Sequence, residues 1–139
     1  MATIHCDVET IRATETGSAL GQIWIEFGGQ AFPQARWDDF VVFVLDWWRL
    51  GIRNLLTGAK GPAVFAFMDD MYEVAVGPVE GGLVCTCKFH DNEIAKVTED
   101  IPGTQEFVKS YCDVVQGVLE RVKRDPDWRQ TFEGSVPQV

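Results

Sequence analysis

The chain has 139 residues and a formal net charge of −9, with 46% hydrophobic and 24% charged residues. That length suits one domain, and the composition excludes general disorder. A chain of this size buries roughly two thirds of its unfolded surface, so its core needs neither disulfide nor metal. Residues 1–100 carry 7 basic against 15 acidic side chains, and residues 101–139 carry 5 against 6. The acid therefore lies in the sheet-forming part. Such a field repels nucleic acid and anionic membranes and speeds encounter with a basic protein.

The N-terminus MATIHCDVETIRA has no basic segment followed by an apolar run, so no signal peptide is expected. The run Phe40 to Leu45 falls far short of the ~20 residues that span a bilayer. A cytoplasmic location is expected, with the four cysteines reduced.

Residues 3–13 alternate: Ile4, Cys6 and Val8 against His5, Asp7 and Glu9, the pattern of a half-buried strand. Residues 14–21 read as a turn. Gln22 to Phe27 predicts a second strand with Ile23, Ile25 and Phe27 inward and Trp24 and Glu26 outward, ended by Gly28 and Gly29. From Trp37 to Leu56 the chain is apolar around most of a helical girth, which predicts a central helix covered on more than one side. Asp39, Asp46, Arg49 and Arg53 would form its one polar stripe, with Asp38 and Asp39 in its first turn. Thr57-Gly58, Gly61 and Pro62 stop it.

Ala63 to Met68 predicts a third strand, Asp69-Asp70 a tight turn, Tyr72 to Val79 a fourth strand and Leu83 to His90 a fifth. Residues 91–103 read as a polar loop. Thr104 is the expected N-cap of a last helix reaching about Lys123, with Phe107, Tyr111, Val114, Val115, Val118, Leu119 and Val122 inward. An irregular tail follows from about residue 125, with Trp128 and Phe132 as anchors. The expectation is a single α+β domain over 1–139: a five-stranded, mainly antiparallel sheet with two helices on one face, in the order β-β-α-β-β-β-α.

No nucleophile elbow, phosphate loop, dinucleotide fingerprint or deaminase signature is present. Cys85 and Cys87 with His90, His5 and Cys6 invite a zinc reading, but alternation within a strand fits inward-facing small hydrophobes better than metal ligands on a turn. No metal or cofactor is expected. Asp69, Asp70 and Glu73 with His90 are the residues from which an acid–base site would be assembled, although adjacent aspartates at a hairpin tip ordinarily form the turn. Five tryptophans are the more useful feature. An outward Trp24 beside carboxylates suits an interface anchor.

The run Phe32-Pro33-x-x-x-Trp37-x-Asp39-Phe40, followed by Val44-Leu45-x-Trp47-Trp48, resembles a pattern in small bacterial proteins similar in size, acidity and α+β layout to the immunity proteins of polymorphic toxin systems. The resemblance covers about residues 30–50. It implies a small cytoplasmic protein that binds and neutralises a cognate toxin, and carries over no functional residue. Type III secretion chaperones are similar in size and acidity, but typically begin with a helix where this chain begins with two strands. The leading expectation is thus an immunity-type inhibitor that occludes a basic protein through Trp24, Glu26, Asp69, Asp70 and Glu73. A small enzyme or ligand-binding domain with a pocket near His90 and the 69–73 hairpin is the alternative, and a homodimeric or chaperone-like module the third reading.

Overall fold

The computed structural model describes residues 2–14, 18–58, 63–69 and 71–124. Asp70, Gly61, Pro62, Trp128 and Phe132 lie outside them. The fold is α+β with antiparallel strands and two helices, as the hydrophobic patterning predicts. The strands, however, form two four-stranded sheets.

The first sheet starts with β1 (Ala2–Ala13) antiparallel to β2 (Ala19–Phe27). Ile23, Ile25 and Phe27 are buried and alternate with outward Trp24 and Glu26. Two three-residue strands share the other edge of β2. β3 (Gln30–Phe32) pairs with its C-terminal half and β4 (Asp38–Phe40) with its N-terminal half. Between them the Ile23 N–H bonds the Trp37 carbonyl at 2.8 Å. Asp38 and Asp39 are therefore strand residues, not the first turn of a helix. The open edge of β2 needs backbone partners, and this segment supplies them before the helix begins.

Helix α1 (Val41–Thr57) follows directly and ends at Gly58, in the left-handed region at φ 67°, whose N–H bonds the Asn54 carbonyl. Gly51 lets the helix sit close on the second sheet, since a Cβ there would stand 2.9 Å from the Phe65 ring. Trp48 is fully buried, edge-on to Phe65 and Phe67, and its Nε1–H donates to the Ala66 carbonyl at 2.8 Å. Trp47, ~100° round the helix, is 47% exposed. With Phe43 at 50% and Leu50 at 63%, it forms an uncovered apolar stripe. The expectation that α1 is covered on more than one side is corrected here.

The second sheet runs in chain order, β5 (Ala63–Ala66), β6 (Tyr72–Val79), β7 (Gly82–Phe89) and β8 (Asn92–Asp100). β8 replaces most of the expected 91–103 loop. It is an edge strand exposed on both faces from Asn92 to Lys96, so it shows no alternation, and a bulge interrupts its pairing between Cys87 and Lys88.

Helix α2 (Ile101–Lys123) is capped by Asp100, whose Oδ1 accepts the Gly103 N–H at 2.8 Å, four residues before the expected cap at Thr104. The expected inward residues are buried except Leu119, which is half-buried. α2 closes the free edge of β1, where the Ile4 N–H donates to Ser110 Oγ and Arg121 donates to the Ile11 carbonyl. Tyr111 ties α2 to α1 by donating its buried hydroxyl to the Leu45 carbonyl at 2.7 Å. Among the described residues no helix is long and apolar enough to cross a membrane.

The two adjacent tryptophans make a controlled test of this packing. Trp48→Ala should lower unfolding free energy by about 3–5 kcal/mol, through the cavity and the lost indole hydrogen bond. Trp47→Ala should change it by about 0.5 kcal/mol or less at protein concentrations dilute enough to hold the chain as a monomer. Denaturant titration of both variants reads the difference, and equal losses would contradict the placement of α1.

Candidate functional site

The alternation of β1 and β2 builds one outward face. Thr3 stands opposite Glu26, His5 opposite Trp24 and Asp7 opposite Gln22. The His5 imidazole stacks on the Trp24 indole, centroids 5.7 Å apart and planes within 12°. Trp24 Nε1–H donates to Glu26 Oε2 at 3.3 Å, and His5 Nε2 lies 3.1 Å from the same oxygen and 2.9 Å from Thr3 Oγ1. The indole is thus held at its edge and on one face before any partner arrives. Around it the carboxylates differ. Asp7 pairs with Arg36 at 3.1 Å and Glu9 with Arg124 at 2.9 Å, while Glu26 has the indole and the imidazole but no arginine or lysine among the described residues. Glu26 is the carboxylate of this face that keeps acceptor capacity for an incoming cation.

The other residues expected at the interface do not converge on Trp24. Asp69 is exposed in the turn after β5, where its Oδ1 accepts the Met71 N–H at 3.1 Å. It borders a groove of about 260 Å³ with Leu20, Trp37, Asp38 and Phe40. Glu73 lies on β6 opposite Lys88, on the outward side of the second sheet. Asp70 is outside the described residues. The four described residues therefore divide between the first sheet, a turn and the second sheet.

His90 is not the last residue of a strand. It and Asp91 form the β7–β8 turn with φ 51° and 65°, and its N–H bonds the Met71 carbonyl at 2.9 Å. That bond places His90 beside the 69–73 hairpin, as the enzyme reading requires. His90 is exposed there. A groove of about 670 Å³ lies elsewhere, between the end of α1, the β6–β7 turn and the start of α2. Its walls include Leu55, Leu56, Val79, Leu83, Ile101 and Val108, and no pair of acid–base groups converges in it.

Cys85 and Cys87 are buried side by side on the inward side of β7. Burial pushes the Cys85 thiol up to about 12, with Glu99 adding to the shift, and the Cys87 thiol to about 11. Cys6 is likewise raised to about 12 by burial, and secondarily by Asp7. Burial therefore favours the protonated thiol at all three positions at neutral pH. Among the described residues no group of three His, Cys, Asp or Glu side chains is placed to hold a metal ion.

Two features escaped the reading of the sequence. One is the exposed stripe of Phe43, Trp47 and Leu50, because an apolar helical girth looks the same whether covered or bare. The other is the buried Asp39, which the spacing assigned to a wet helical stripe. Compared with family models, curated proteins and solved structures, the chain matches none.

The raised thiols fix the direction of an alkaline response. In the unfolded chain each ionises near 9.0, whereas in the fold it holds its proton to about 11 or 12. The unfolded state therefore binds fewer protons above pH 9, and stability should fall from there as pH rises, with no thiol contribution below it. Denaturation midpoints between pH 7 and pH 11 measure this. At pH 8 a thiol reagent should leave Cys85 and Cys87 unmodified until the chain is unfolded, and modification at the denatured rate would contradict their burial.

Proposed function

We propose that this chain is a small acidic binding protein of the immunity type, which inhibits a basic partner protein by occluding it. The observation that carries the reading is Trp24, fixed by His5 and Glu26 on the outward face of the first sheet. A large aromatic ring held in place loses little conformational freedom on binding, which is the property of an interface anchor. Glu26 beside it offers a carboxylate to an arginine or lysine of the partner. The net charge of −9 steers a basic partner toward the molecule over a range set by ionic strength. Inhibition in this reading is steric and needs no reaction at the face. The resemblance of residues 32–48 to immunity proteins agrees with it, and the absence of converging acid–base groups in the grooves described gives the enzyme alternative no comparable support.

The anchor and the charges should separate kinetically. With the partner captured from the source cell on the immobilised chain, Trp24→Ala should raise the dissociation rate by about tenfold or more. Asp69→Lys combined with Asp70→Lys should slow association and flatten its salt dependence. A wild-type dissociation rate for Trp24→Ala would remove this face from the interface, and wild-type association for the double variant would remove the two aspartates from it.

A further inference from the structure

We infer that the uncovered face of α1 is a self-association surface, and that two copies of this chain pair through it as antiparallel helices. Phe43, Trp47, Leu50 and Asn54 follow one another at intervals of four, three and four, the spacing of a seam that packs side chains into the gaps of a facing helix. The three apolar members are about half or more exposed, and Phe40 extends the row by an edge contact with Phe43, centroids 6.5 Å apart. Among the described residues no element covers this row.

Charge identifies the occupant. Asp46 and Arg53 stand seven residues apart on the same flank of the seam, with opposite sign. In an antiparallel pair, Trp47 packs against the partner's Leu50 and Phe43 against the partner's Asn54, large residue against smaller in each layer. That register brings Asp46 beside the partner's Arg53, and the two-fold axis repeats the contact with the roles exchanged. Asp46 also lies 3.6 Å from Arg49 of its own helix, while Arg53 has no carboxylate partner among the described residues. In a parallel pair the flank would instead face the positions of Val44 and Gly51, which are buried and uncharged. A separate basic protein suits this face poorly, because Arg49 and Arg53 outnumber Asp46 on it. A polar residue such as Asn54 at a seam position favours one register over its neighbours.

Sedimentation velocity of the full chain across a concentration series tests the inference, with thermal midpoints confirming that each variant is folded. The wild type should pass from monomer to dimer. Leu50→Lys, at an exposed position, should remain monomeric throughout. Asp46→Arg and Arg53→Asp alone should each raise the dimer dissociation constant about tenfold, because each places two like-charge contacts in the pair. The double exchange Asp46→Arg with Arg53→Asp should restore it to near the wild-type value. A wild type that stays monomeric at every concentration, a dimer indifferent to Leu50→Lys, or a double exchange no better than the singles would overturn it. None of these readings involves Trp24 or a basic partner, so the result stands apart from the function proposed above.

Discussion

The arrangement depends on one buried carboxylate. Asp39 Oδ2 accepts the Trp37 Nε1–H at 2.9 Å and the Met68 N–H at 3.2 Å, and its Oδ1 accepts the Phe40 N–H at 2.8 Å. A carboxylate removed from water is tolerable only when its oxygens are satisfied, and here three N–H groups satisfy them. Two of the donors belong to the segment that closes the first sheet and leads into α1, and the third to the turn that follows β5. The contact therefore joins the two sheets at the point where the helix starts. From that origin α1 runs over Phe65 at Gly51 and lowers Trp48 onto Phe65 and Phe67. Edge-on rings then continue the core in both directions, from Phe65 to Phe107 of α2, and from Phe67 to Phe32 and Trp37 at the rim of the first sheet.

Where the sequence was legible, the signal was a period set by burial on one side. β2 alternates because one face meets the core, and that register placed Trp24 and Glu26 together on the outside. α2 repeats its apolar residues at helical spacing because it lies against β1, β7 and β8. Where no such asymmetry exists, the pattern is silent. β3 and β4 are three residues long and carry no period. β8 is wet on both sides over its first half and reads as a loop. Asp39 was misplaced because its role comes from Met68, 29 residues away, a relation that no local spacing encodes. Trp47 and Trp48 are equivalent in sequence, and only the position of β5 decides which is buried.

The same unevenness organises the surface. The first sheet turns one face to the core and leaves the other to Trp24, His5 and Glu26. The edge of β1 is closed by α2, and the edge of β8 is broken by its bulge and carries the Glu93–Lys96 pair, so neither long strand offers a clean template for pairing. Exposed apolar side chains are most concentrated on α1 and around the groove by Ile101, with Val64, Met71 and Ile94 scattered singly elsewhere.

Amide hydrogen exchange of Met68 tests the joint between the sheets most directly. In the wild type this amide should exchange as slowly as those of Ile23 and Val74, because its acceptor is the buried Asp39. In Asp39→Ala it should exchange about tenfold faster or more relative to them, with the Trp37 indole proton following it. Rapid exchange of the Met68 amide in the wild type, or the same protection in both proteins, would mean that the sheets are held together by something other than this carboxylate.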